Sequence, residues 1–250
     1  MKVIVNGIAT EYQDEGGGPT LVFLHGWKDS LHTFDRLANL LIPQYRVVRI
    51  DLPGFGGTEI RKGAWRLEDY VRFVSACVQK LSIRPEVYVG HSFGGRIVIK
   101  GVSSGIFQPQ KIILIDSAGF AKSRTAKNRL LTVAAKIGKL ATLAPPLIFW
   151  RKQLRRKLYE KIGSDYFASG ELRKTFLDII GEDLADSAKK IICPALIIWG
   201  ADMSQSGHAL VKFMEKGIDD NNHIIGARGE IEKEIPKKAI ANFRRYVKVI

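Results

Sequence analysis

Two periodicities run through this chain. Short uninterrupted apolar runs alternate with longer stretches in which apolar residues return every three or four positions. Val3-Ile4-Val5 and the stretch from Ile8 to Tyr12 flank Asn6-Gly7, which predicts a hairpin closed by a type I′ turn. Thr20-Leu21-Val22-Phe23-Leu24, Arg46 to Ile50, Val87-Tyr88-Val89, Lys111 to Ile115, Ala195 to Trp199 and His223-Ile224-Ile225 read as strands, most of them covered on both faces. Helical spacing marks Leu31 to Leu41, Leu67 to Leu81, the residues after Ser92, Gly207 to Lys216 and the stretch from Pro236. Strand followed by helix, repeated, predicts an α/β fold: a mostly parallel central sheet with helices on both faces. Active sites in such sheets lie beyond the carboxyl ends of the strands.

The alternation stops after Asp116 and resumes near Ala195. Residues 118–190 are helical in pattern and carry 16 basic against 7 acidic side chains, so they hold +9 of the chain's net +14. The expected organisation is therefore a core made of residues 1–117 and 191–250, with 118–190 inserted over the carboxyl edge as a basic helical lid. Such a surface suits weak contact with an anionic membrane or an acidic substrate, or is simply solvated. Nucleic-acid binding is not expected, because no aromatics interleave with the basic residues. Cys77 and Cys193 give neither a disulfide framework nor metal-ligand spacing. The first residues lack a leader-like apolar run and no stretch reaches membrane-spanning length, which predicts a cytoplasmic protein. No metal, nucleotide or flavin is implied, since Gly16-Gly17-Gly18 precedes a strand instead of opening a helix.

The chemistry concentrates at Gly90-His91-Ser92-Phe93-Gly94, between a β-rich run and a helical one. A serine at the tip of a tight strand-to-helix turn needs glycines on both sides, where side chains would collide with strand and helix. The turn lifts the hydroxyl over the sheet edge and aims the first helical N–H groups at the reacting centre.

Together with His25-Gly26-Trp27, Asp51-Leu52-Pro53-Gly54-Phe55-Gly56, Ile115-Asp116-Ser117-Ala118-Gly119 and Cys193-Pro194-Ala195-Leu196-Ile197-Ile198-Trp199-Gly200, this stretch resembles the α/β-hydrolase superfamily, closest to its lidded esterase and C–C-bond hydrolase branch. The resemblance implies Ser92 as nucleophile and an oxyanion hole from the backbone N–H groups of Trp27 and Phe93. It implies a small acyl substrate bound under the lid. His25 is expected to support its loop, His91 to be the variable residue of the elbow, and His32 to be structural.

The C-terminal quarter departs from that pattern. The catalytic acid is expected three residues after Gly200, where Met203 stands, and the histidine is expected where Gly226-Ala227-Arg228-Gly229-Glu230 places Gly229. A hydroxyl needs a base, and the base an orienting carboxylate, to attack a carbonyl. His223 opens a strand and so belongs at the wrong end of the sheet. His208 is the candidate base, with Asp202 or Asp116 as candidate acid. Two functions remain open: a serine hydrolase of carboxylic esters or related acyl compounds with a rearranged triad, and a catalytically dead or engineered scaffold that binds a small molecule without turnover.

Overall fold

The computed structural model describes residues 1–60, 63–119, 172–200, 223–227 and 246. Contacts divide the chain into two units, Met1–Ala121 with Asp178–Ile250, and Lys122–Leu177. Most of the insertion, the predicted helices at 207–216 and after Pro236, and the residues Asp202, Met203, His208 and Gly229 lie outside the described residues.

The first unit is built on one eight-stranded sheet ordered β1 (Lys2–Val5), β2 (Ile8–Glu15), β4 (Arg46–Ile50), β3 (Thr20–Leu24), β5 (Val87–His91), β6 (Lys111–Ile115), β7 (Ala195–Gly200) and β8 (His223–Ala227). β1 and β2 pair antiparallel with their neighbours, and every pairing from β4 to β8 is parallel. This is the α/β architecture expected from the sequence.

Asn6 and Gly7 both adopt positive φ, 49° and 79°, the backbone that a type I′ turn demands. β2 runs three residues past the predicted end because it changes partner: it leaves β1 at Glu11 and continues along β4 from Tyr12. Its polar end is held by charge. Arg46 donates to both carboxylate oxygens of Asp14 at 2.9 and 2.7 Å, and buried Arg49 donates to Glu15 and Asp35.

The buried strands alternate faces with period two. Leu21, Phe23, Val47, Val87, Val89, Ile113, Ile115, Leu196 and Ile198 form one apolar cluster with Phe34, Leu37, Ala38, Leu41 and Tyr246. Thus α1 (Asp35–Leu41) covers this face. A single 3₁₀ turn, Leu31–Phe34, precedes α1, so the predicted helix begins tighter than α; the Leu31 N–H is drawn to Asp51 Oδ1 at 2.6 Å. α2 (Leu67–Lys80) packs on α3 (Phe93–Ser103), which lies against β3, β5 and β6. α4 (Arg173–Gly181) and α5 (Ala185–Ala188) form the described last part of residues 118–190, and α5 packs on α3. Among the described residues no helix is long and apolar enough to cross a membrane.

Candidate functional site at the carboxyl edge of the sheet

Ser92 stands between β5 and α3 with φ 48° and ψ −104°, a backbone that a non-glycine residue holds only under constraint. Three bonds supply the constraint. Its N–H donates to Ile115 O at 3.0 Å, and its carbonyl accepts from the N–H groups of Arg96 and Ala118, each at 3.3 Å. The flanking glycines are required by contact. A Cβ on Gly90 would lie 2.6 Å from Gly94 O and Gly95 Cα, and one on Gly94 would run into the Leu24 carbonyl. One on Gly95 would meet the side chain of Ser117. The end of β6 behaves alike: Asp116 has φ 43° and its N–H donates to Ile198 O at 2.9 Å.

The loop after β3 reaches the same point. Gly94 N–H donates to His25 O at 3.0 Å, and a Cβ on Gly26 would sit 3.6 Å from Ser92 Cβ. Trp27 then lies edge-on to Phe93 at 5.3 Å between ring centroids and to Phe55 at 4.8 Å. Tyr70 closes the back of this wall, edge-on to Phe93 at 5.0 Å, with its hydroxyl donating to Pro53 O at 3.2 Å. Burial pushes that hydroxyl's pKa up, so it stays a donor. The structure therefore brings Ser92, Trp27 and Phe93 together. Phe93 is the first residue of α3, so its N–H has no partner within its own helix.

His25 is fully buried, and both ring nitrogens are engaged: Nδ1 donates to Gly26 O at 2.7 Å, and Nε2 accepts the Leu52 N–H at 3.0 Å. This fixes the neutral tautomer and makes the ring a strut between two loops, the supporting role its motif implies. Protonation would turn Nε2 into a donor facing a donor. Asp51, with Oδ1 3.8 Å away, is itself used by Leu31 N–H and, through Oδ2, by Gly57 N–H at 2.7 Å. Desolvation dominates, and the His25 pKa falls below its ordinary value.

The sign of the resulting pH dependence follows. Above about pH 6.5 the ring is neutral both folded and unfolded. Below it, the unfolded chain binds a proton that the fold refuses, so stability falls with pH, by up to about 1.4 kcal/mol per unit from this group. Urea unfolding at pH 7.5 and 5.5 should show the loss in the wild type and a smaller one in His25→Gln.

The other histidines divide. His32 is exposed and bonds Asp35 Oδ2 at 2.9 Å on the surface. The register pairs His223 with Leu196, near the start of β7, which puts it at the amino end of β8, as its position in the sequence implies. His208, Asp202, Met203 and Gly229 fall outside the described residues, so Asp116 is the one proposed acid whose place is seen. Among the described residues no group of three or more His, Cys, Asp or Glu side chains is disposed to hold a metal ion. A pocket of about 320 Å³ lies between the Asn6 turn and α2, lined by Ile8, Trp65, Asp69, Arg72 and Phe73 among others, and it contains none of the residues predicted for the site.

Residues 21–229 match the alpha/beta hydrolase family. The chain belongs to that family. An uncharacterized hydrolase, YugF, of Bacillus subtilis is 31% identical over 124 residues, 47% of this chain and 44% of that protein. The chain thus matches less than half the length of this relative. A longer match joins it to (E)-2-((N-methylformamido)methylene)succinate hydrolase of Acinetobacter baylyi, 25% identical over 215 residues, 79% of this chain and 77% of that one. In three dimensions it is similar to a membrane phospholipase A described as a bacterial virulence factor, with a TM-score of 0.74 and 21% identity over all of this chain and 85% of that one. That likeness shows the fold.

One buried charge beside the turn is not singled out by the sequence motif: Arg96, one turn beyond Ser92, whose side chain reaches the carbonyls of Ile179 and Glu182. An arginine within the apolar run Gly95-Arg96-Ile97-Val98-Ile99 was its only local signal.

Proposed function

We propose that this family member is a serine-nucleophile hydrolase of carboxylic esters or related small acyl compounds. The observation that carries the reading is the backbone of Ser92, held at φ 48° by bonds to Ile115, Arg96 and Ala118, with Gly26, Trp27 and Phe93 alongside. In this reading Ser92 Oγ attacks the acyl carbon and its proton passes to a base. The carbonyl oxygen, now negative, faces the N–H groups of Trp27 and Phe93, which together supply a few kcal/mol of stabilisation. Collapse expels the alcohol with the base's proton and leaves an acyl ester on Ser92; water, deprotonated by the same base, then releases the acid. His208 serves as the base, oriented by Asp202 or Asp116.

A second reading rests on Met203 and Gly229, which stand where the family pattern expects acid and histidine. It keeps the elbow and the aromatic wall beside it but has no turnover: a scaffold that binds a small acyl-like molecule.

Incubation with a fluorophosphonate probe, followed by peptide mass spectrometry, and hydrolysis of p-nitrophenyl acetate separate the two. The hydrolase reading expects labelling at Ser92 and turnover, both reduced by at least a hundredfold in His208→Ala. Turnover that persists in His208→Ala would reassign the base. A folded protein with no label on Ser92 would leave the binding scaffold.

A further inference from the structure

The backbone around Ser92 belongs to a closed circuit of hydrogen bonds that includes both legs of the chain's excursion after β6. On the outgoing leg, Ala118 N–H donates to Ser92 O at 3.3 Å. The next residue, Gly119, offers its carbonyl to Leu184 N–H on the returning leg at 2.8 Å. A Cβ on Gly119 would meet Leu184 Cδ1 at 2.9 Å, so the two legs touch here. Higher on the returning leg, the carbonyls of Ile179 and Glu182 both accept from the guanidinium of Arg96, the second at 2.5 Å. Arg96 completes the ring, because its own N–H donates to Ser92 O. One turn further along α3, Lys100 Nζ holds the Glu182 carboxylate at 2.7 Å.

Arg96 is an expensive residue to place here. It is 5% exposed, its side-chain bonds go to carbonyls, and burial pushes its pKa down to about 10. An apolar side chain of similar volume would cover α3 at less desolvation cost. An apolar chain would not grip two carbonyls at once, whereas Nη2 of Arg96 donates one hydrogen to each, aimed by the rigid plane of the guanidinium. The circuit thus fixes the returning leg to the same helix turn that sets the torsion of Ser92.

We propose that Arg96 is a positioning residue for Ser92: by gripping the Ile179 and Glu182 carbonyls it holds the neck of the excursion in register with the elbow, and so sets the reactivity of the hydroxyl. This rests on the hydrolase reading above. Arg96→Met opens the circuit without altering the side chains of Ser92, Trp27 or Phe93 themselves.

The test compares wild type, Arg96→Met, Arg96→Lys and Lys100→Met, with active sites titrated by the fluorophosphonate so that rates are expressed per labelled Ser92. Arg96→Met is expected to lower kcat for p-nitrophenyl acetate and the labelling rate constant by about tenfold or more, with KM changing less than about twofold. Arg96→Lys, whose ammonium also offers several hydrogens from one nitrogen but on a flexible stem, should recover part of that loss. A residue that only stabilises the fold would lower the titrated fraction and leave kcat per labelled site unchanged, and that result would overturn the proposal. Should Arg96→Met fail to fold, Arg96→Lys and Lys100→Met decide: a loss of about two- to fivefold in kcat per site supports the circuit, and wild-type kcat in both refutes it. If wild type itself is not labelled, the hydrolase reading has failed. The circuit is then judged by hydrogen exchange in Arg96→Lys, where the Ala118 and Leu184 amides should exchange at least about tenfold faster if Arg96 holds the neck, and at the wild-type rate if it does not.

Discussion

Ser92→Gly should abolish turnover and raise the melting temperature at the same time. The catalytic half rests on the proposed hydrolase reading. Removing the attacking oxygen leaves the backbone donors and the binding surface, which in such sites retain only about 10³–10⁴-fold acceleration over water, so at least a thousandfold of kcat should vanish. The stability half follows from the torsions. Ser92 sits at φ 48° and ψ −104°, where a Cβ is unwelcome, and residues held in such regions cost on the order of 1–3 kcal/mol. Glycine occupies this region freely but loses more entropy on folding, roughly 0.5–1 kcal/mol. The net gain is about 1 kcal/mol, or a rise of about 2–4 °C for a chain of this size. Calorimetry beside a p-nitrophenyl acetate assay reads both. A lower melting temperature would mean that the elbow is not strained and that Ser92 is held there by bonds its hydroxyl makes.

The same strain explains what the sequence disclosed and what it withheld. Glycines at positions 90, 94 and 95 are a local requirement, so the elbow was legible from a few consecutive residues. Strands with both faces covered were legible too, because Leu21 to Leu24 or Ile112 to Ile115 contain no polar residue to interrupt them. The polar end of β2 was not legible as strand. Gln13, Asp14 and Glu15 lack the apolar pattern, and what keeps them extended is β4 with Arg46 and Arg49, more than thirty positions away. Arg96 was hidden for the same reason at greater range, its two carbonyl partners lying 83 and 86 residues on. His25 shows the intermediate case. Its motif announced a loop beside the site, but only the bonds to Gly26 O and Leu52 N–H show that both nitrogens are spent and that the ring is a strut. The acid and the base belong to a different category, because Met203 and Gly229 are departures from a pattern, and a departure names no replacement.

Gly94→Ala should be among the most damaging single substitutions in the chain, although it adds one methyl group to a helix, where alanine is normally the better residue. Intrinsic propensity would favour the change by about 1 kcal/mol. Contact reverses the sign. The added Cβ would collide with the Leu24 carbonyl and lie 2.9 Å from His25 O, and these are backbone atoms of β3 and the loop after it, with no rotamer through which to withdraw. Relief requires α3 to lift from β3. That movement would break the bond from Gly94 N–H to His25 O, disturb the loop bearing Trp27, and open the core beneath Leu24, which is fully buried. Overpacking of this kind costs typically 1–3 kcal/mol where side chains yield, and more where backbone must move. A loss of about 3–5 kcal/mol is therefore expected, a fall of roughly 6–20 °C in melting temperature. Gly17→Ala is the matched control: a Cβ there meets nothing within 4 Å and the backbone has no positive φ, so restricting the unfolded chain should stabilise by about 0.4–1 kcal/mol. Denaturant melts of the two variants should move in opposite directions, and a Gly94→Ala protein as stable as wild type would mean that α3 and β3 do not approach as closely as the nucleophile's turn requires.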